Sequence, residues 1–241
     1  LLLLMAVVFL ALPYYFGVKA EASLQAQSRM LARTSFLEVV SYRYERHWFS
    51  ATETTVIRFK PALAHRFASQ LPDNVNTLLN EPITLVNHVR HGPFADGLKP
   101  ARAVVSTQLQ YSPEVAKILA RFFGTQTPVT VRNRLDLFGG GTLDVAIPSF
   151  DYEELSGIKM HWQGLNGQVQ YAENFVRYDT QMASPGLKMT LADKGEISYQ
   201  GLQFTAHTED GQSQLSLGNS QFKLGEVNLV WRDGIDYDIK L

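Results

Sequence analysis

Hydrophobic positions fall into three successive patterns along the chain. The first is unbroken. Residues 1–18 carry no charged side chain, and the first charge is Lys19. Eighteen helical residues rise roughly 27 Å at about 1.5 Å each, close to the hydrocarbon thickness of a bilayer. Tyr14, Tyr15 and Phe16 stand at the end of the run, where an aromatic belt meets the interface, and Pro13 is tolerated in a membrane helix. Two readings are open. One is an uncleaved signal anchor over residues 1–18. The other is a cleaved secretory signal ending at the triplet Ala20-Glu21-Ala22. The run exceeds the ~7–15 residues of a signal core, which favours the anchor. A buried core helix is disfavoured because the run has no polar face. The missing initiator Met adds the expectation of a short basic segment upstream.

The second pattern is helical. Residues 19–37 place Leu24, Met30, Leu31 and Phe36 among Ala, Gln and Arg, with neither Gly nor Pro. The spacing predicts a weakly amphipathic helical stalk.

From Val39 the period becomes two. Tyr42 and Tyr44 alternate with Arg43 and Glu45, and Thr54, Val56 and Arg58 with Thr55, Ile57 and Phe59. Such alternation predicts half-buried strands. Pro61–Leu79 reads as a connection with short helix interrupted at Pro72. Ile83–Arg90 and Arg102–Tyr111 read as strands, and Ala103, Val105, Thr107, Leu109 and Tyr111 share a face. One internal helix is expected: Ser112 as N-cap, Pro113 at the first position, Glu114 at the positive dipole end, a stripe of Val115, Ile118, Leu119 and Phe122, and Gly124 as terminator. Beyond Thr127 short strands continue to Leu241. Asn166-Gly167, Asp210-Gly211, Asp233-Gly234 and the triplet Gly139-Gly140-Gly141 are expected turns. At Gly201 the apolar parity changes from odd (Ile197, Tyr199) to even (Leu202, Phe204), which predicts a bulge or turn. The closing run Ile235, Tyr237, Ile239, Leu241 predicts a strand with no cap, so the natural chain is expected to continue.

The expected fold is mainly β: an extended antiparallel meander sheet with an N-terminal transmembrane and stalk helix and one short internal helix. Its expected divisions are residues 1–18, 19–37 and 38–241. An apolar sheet face must be covered by another layer, a partner or lipid.

Composition narrows the chemistry. The absence of cysteine excludes disulfides, thiol nucleophiles and zinc ribbons. The net charge of -1 does not suit a general nucleic-acid binder.

The stretch Arg90-His91-Gly92-Pro93-Phe94 is distinctive. So are Ser41-Tyr42-Arg43-Tyr44-Glu45-Arg46 with Trp48-Phe49-Ser50, Gly124-Thr125-Gln126-Thr127-Pro128, and Pro148, Phe150 and Tyr152. In this order behind an apolar start, they resemble the YdgA-like family of bacterial envelope proteins, whose domain has no assigned function. The resemblance implies a single-pass inner-membrane anchor, a periplasmic β-rich body and no catalytic residues. His91, Gly92, Pro93 and Phe94 are its motif residues, read physically as a strand-ending turn with Phe94 anchored in the core.

Other candidate chemistry is weak. His88 and His91 lie three apart on a strand and so point to opposite faces, which argues against a shared metal. Asp144, Asp151, Glu153 and Glu154 supply carboxylates for glycoside chemistry, although neighbouring strand residues face opposite ways. No phosphate loop or nucleophile elbow is present, and no cofactor is expected.

The sequence therefore points to a non-enzymatic, membrane-anchored envelope protein that binds or scaffolds. Its expected partners are the bilayer, a lipid or envelope protein, and a second copy of itself, with no nucleic acid. The alternative is a lipid or amphiphile carrier with an apolar groove that includes Met160, Trp162, Tyr178 and Trp231. An envelope-polymer hydrolase is the remaining alternative.

Overall fold

The computed structural model describes residues 5, 7–34, 36–61, 73–97, 99–210 and 216–231. The protein is mainly β, built on a large antiparallel sheet. The chain divides into two compact units: residues 1–118, 131–143 and 171–176 form the first, and residues 119–130, 144–170 and 177–241 the second.

In the first unit, a π-helical turn (Val7–Ala11) runs into α1 (Leu12–Arg33). Pro13 directly follows the π-helical turn, a local irregularity that accommodates a residue without an N–H, and the Ala-, Gln- and Leu-rich sequence propagates the helix beyond it. Strands β1 (Leu37–Arg46), β2 (Ser50–Phe59), β3 (Ile83–His91), β4 (Ala103–Gln110) and β5 (Thr130–Leu135) come next, and α2 (Asp73–Asn80) lies between β2 and β3. The strands pair antiparallel in chain order. Opposite residues in such a ladder share a face. One row thus runs Tyr44, Glu53, Asn87, Thr107, Val131, and a neighbouring row includes Val89 and Val105. A bulge between Val39 and Ser41 leaves Val40 exposed, so Val40, which the two-residue period places on the face of Tyr42 and Tyr44, does not join them.

Helix α1 packs against this sheet along its length. Pro13, Gly17, Ala20 and Leu24 are buried, at spacings of four, three and four. That stripe faces one way on a helix and, being mostly small, lets the helix lie close to the strands. The weakly amphipathic helix expected as a stalk is therefore a packed layer of the unit. Among the described residues no helix is long and apolar enough to cross a membrane.

Helix α3 (Pro113–Phe123) forms where the sequence predicts it. The Ser112 hydroxyl accepts the Val115 N–H at 3.3 Å, and Gly124 ends the helix at φ +57°. Gly139 and Gly140, both at positive φ, make the turn from β5 into β6 (Gly141–Ile147).

The second unit is built around a long hairpin, β10 (Arg177–Leu191) and β11 (Gly195–Asp210). It is flanked by β7 (Phe150–Glu153), β8 (Ile158–Trp162), β9 (Leu165–Tyr171), β12 (Ser216–Lys223) and β13 (Glu226–Trp231). One half of β11 pairs with β12 and the other with β13, and the end of β10 pairs with β8. This differs from the simple meander. The apolar runs 178–182 and 187–191 lie on one strand, β10, and 197–199 and 202–206 lie on another, β11, so of the bulge or turn expected at Gly201 it is the irregularity within a strand that forms. Asn166-Gly167 is not a turn but lies within β9: the chain has already reversed between β7 and β8, at Glu154–Gly157, and from β8 it runs on in the same direction along β10, with Gly164 at φ +88° marking only a local irregularity.

Gly201 at φ +66° explains the parity change. Ser184 opposes Leu202 and Leu187 opposes Tyr199, so each strand carries one extra residue at the same level. Pairing stays in register while both strands exchange faces. Asp233-Gly234 and the run Ile235–Leu241 lie outside the described residues, as does Gly211. Adding a Cβ at Gly201 forces a left-handed conformation on an L-residue. Gly201→Ala is expected to lower stability by about 1 kcal/mol, read as a reduced urea midpoint at unchanged slope.

Candidate functional site

The His91-Gly92-Pro93-Phe94 stretch is the seat on which the start of α1 rests. His91 ends β3 with only 3% of its surface exposed. Its Nδ1 lies 3.1 Å from the Pro13 carbonyl of α1, and its Nε2 lies 3.0 Å from the Ser50 carbonyl of β2. The ring reaches the helix backbone because residue 17 is glycine. A Cβ there would stand 2.7 Å from His91 Cε1. Gly92, at φ +116°, has Pro13 as its neighbour on the open side. Its N–H donates to the Arg102 carbonyl at 3.2 Å, which ties the turn to β4.

Both ring nitrogens of His91 face carbonyl oxygens. A neutral imidazole has one N–H, so it donates to one of them; the imidazolium would donate to both. Burial opposes the charge and is the larger effect. It holds His91 below the ordinary histidine value, against the opposing pull of the Ser50 and Pro13 carbonyls.

The expected core position of Phe94 is not what forms. Phe94 is 59% exposed, and Ala95 turns inward in its place. Phe94 joins Phe9 and Phe49 around a shallow cavity of about 220 Å³, with Arg90, His91, Gly92, Pro93 and Ala95 completing its wall. Trp48 lies alongside: its indole N–H donates to the Phe9 carbonyl at 3.4 Å, and its ring centroid is 6.3 Å from that of Tyr14. Arg46 stacks over Tyr14 at 5.1 Å and pairs with Glu21 at 3.1 Å. The start of α1, the β1–β2 turn and the turn after β3 thus form one aromatic rim.

Beneath α1 the sheet face is partly polar. Glu53 is 3% exposed, and its carboxyl accepts from Thr55 Oγ1 at 2.9 Å and Asn87 Nδ2 at 2.6 Å. Asn87 Oδ1 in turn accepts from Thr107 at 2.5 Å. Burial raises the Glu53 carboxyl above its ordinary value, more than these donors lower it. The neighbouring Tyr42 and Tyr44 hydroxyls are also raised, chiefly by burial. Further along, Gln27 of α1 bonds Asn133 and Tyr171, and burial pushes Tyr171 up to about 12. Arg102, 5% exposed, donates to Ser23 Oγ at 2.9 Å and the Leu137 carbonyl at 3.2 Å.

The other candidates separate. His88 is exposed while His91 is buried, on opposite faces of β3. The carboxylates have individual partners: Asp151 with His161 at 2.6 Å, Glu153 with Lys159 at 2.8 Å, Glu154 with Ser156 at 3.1 Å and Asp144 with Gln168 at 2.8 Å.

Met160, Trp162, Tyr178 and Trp231, all in the second unit, fall on one sheet face. Met160 opposes Met189, Trp162 opposes Leu187, and Trp231 opposes Gly195. The Trp162 N–H reaches Ser184 Oγ at 3.2 Å and Tyr199 Oη at 3.1 Å. Ser184 therefore shares that face, and alternation carries Met182, Thr180 and Tyr178 with it. Phe122 and Phe123 of α3 cover one edge, at Phe150 and Tyr152.

Gly17 and Glu53 escaped the sequence reading. The small-residue spacing from Pro13 to Leu24 was the signal for Gly17. Glu53 left none, because a buried and an exposed carboxylate look alike in a β pattern.

A family model described as "Bacterial protein of unknown function (DUF945)" matches residues 1–240, and the chain belongs to that family. No curated protein and no solved structure matches it significantly.

Two outcomes test the seat. Gly17→Ala is expected to loosen α1, read as at least tenfold faster amide exchange across α1 with little change in β3–β4. The pH dependence has two opposite parts. His91 is held low, so its contribution is whole above the unfolded value near 6.5 and is lost as pH falls through the folded value. Glu53 is held high, so its contribution is present below the unfolded value and is lost as pH rises through the folded one. Glu53→Gln is therefore expected to raise the thermal midpoint at pH 7.5, and His91→Gln to flatten the decline between pH 6.5 and 5.

Proposed function

We propose that this DUF945 protein is a non-enzymatic, membrane-anchored envelope protein of the YdgA-like kind, with its β body in the periplasm, acting by binding or scaffolding. The carrying observation is the exposed apolar start of the chain and its junction with the aromatic rim. Met5, Phe9 and Leu10 are each about half exposed, and Tyr14 and Tyr15 come next at 53% and 54%. An apolar helix that presents its large side chains to solvent needs another apolar phase. Its aromatic residues and Lys19 keep the order of a bilayer interface.

Docking sharpens where the interface lies. Pro13 and Gly17 are committed to His91 and Gly92, so the exposed side chains before the seat, Met5, Phe9 and Leu10 among the described residues, are the ones placed to enter lipid. The interface then falls at Phe9–Tyr15, level with Trp48 and Phe94. A rigid body held at this height would present its strands to partners close to the membrane.

The lipid-carrier reading keeps one supporting observation. On the face shared by Met160, Trp162, Tyr178 and Trp231, Met182 and Phe222 are 36% and 61% exposed. Exposed apolar side chains of this kind are what an acyl chain would lie against.

The anchored reading predicts that the uncleaved chain stays with membranes through alkaline carbonate extraction. Release of the intact chain into the carbonate supernatant contradicts it.

A further inference from the structure

We infer that the aromatic rim is a lipid-contact surface in its own right, with the phosphate of an anionic phospholipid held at Arg90. This rests on the anchored reading and assigns it a headgroup site. The cavity wall is apolar apart from Arg90 and the buried, fully engaged His91. Phe9, Phe49 and Phe94 surround it at 49%, 51% and 59% exposure, and Trp48 beside them is 49% exposed. Four large aromatics clustered at half exposure on one surface patch mark an interaction site.

The guanidinium of Arg90 has no hydrogen bond or ion pair among the described residues. Arg46 of the rim is by contrast engaged, with Glu21 and Tyr14. No carboxylate lines the cavity. A guanidinium in the wall of an apolar notch, without a partner among the described residues, suits a phosphate whose glycerol and acyl groups lie against the rings.

Continuity identifies the occupant as a bilayer. Phe9 belongs both to the cavity wall and to the apolar turn Val7–Ala11, where Phe9 and Leu10 are about half exposed, and which the sequence continues upstream with leucines. Whatever phase accepts that turn also meets Phe49 and Phe94. Aromatic rings with an adjacent cation are the composition of a membrane-surface contact, and a cation there is favoured by anionic lipid.

Tryptophan quenching tests this on the full-length chain reconstituted into vesicles. The lipid is acyl-brominated phosphatidylcholine, with or without phosphatidylglycerol, and flotation is scored in parallel. Wild type is expected to float and to be quenched, and Trp48→Phe to lose most of the quenched fraction. Phosphatidylglycerol is expected to deepen Trp48 quenching, and Arg90→Gln to remove that increment while the chain still floats. A floating chain whose quenching is unchanged in Trp48→Phe overturns the rim contact and leaves the anchor standing. An increment that survives Arg90→Gln overturns the headgroup site. A rim that binds a protein partner instead gives a floating chain with Trp48 unquenched, which also overturns the lipid contact. A chain that does not float overturns both readings.

Discussion

The first unit depends on an imidazole placed between two backbones. His91 touches the Pro13 carbonyl on the helix and the Ser50 carbonyl on the hairpin, with Gly17 giving it room. Three segments distant in sequence meet at one buried side chain. None of these bonds is strong alone, since a net hydrogen bond contributes ~0.5–1.5 kcal/mol. Their weight lies in the contacts they bring into register. With the ring in place, Ala20 and Leu24 reach the sheet, Ser23 reaches Arg102, and Gln27 reaches Asn133 and Tyr171. Without it, those buried polar groups would lack partners across the interface, which costs more than the bonds return.

The same contact sets the height of the apolar start. Because Pro13 and Gly17 are held to the sheet, the chain cannot extend as a continuous membrane helix and free stalk without giving up the seat. The aromatic rim is a product of this geometry: the β1–β2 turn and the turn after β3 are brought beside Phe9 and Tyr14. A histidine whose charge is suppressed by burial, next to arginines at the surface, keeps the positive charge outside the seat.

Much of the architecture was legible in sequence. The two-residue alternation located most strands, and Ser112, Pro113 and Gly124 marked the ends of α3. The parity change at Gly201 was legible as an irregularity, while its consequence was not: one hairpin whose two halves take different neighbours. Asn166-Gly167 misled because the dipeptide favours a turn only where pairing demands one, and the chain here runs straight on along β10, its reversal already made at Glu154–Gly157. Phe94 misled for a related reason. Hydrophobicity predicts burial on average, but the turn geometry turned Ala95 inward. The docking of α1 was hidden because a stripe of Pro, Gly and Ala has little hydrophobic contrast, although it allows close approach.

The seat requires α1 to stay docked on the sheet when the apolar start is in lipid. The chain has no native cysteine, so paired spin labels can be placed cleanly at exposed Ala22 of α1 and Ser41 of β1. Dipolar distance measurement on the membrane-reconstituted full-length chain reads the relation directly. A docked helix gives one narrow, short distance distribution, the same in detergent and in vesicles. A broad or lengthened distribution in vesicles, with the helix standing off the sheet as a stalk, would contradict it.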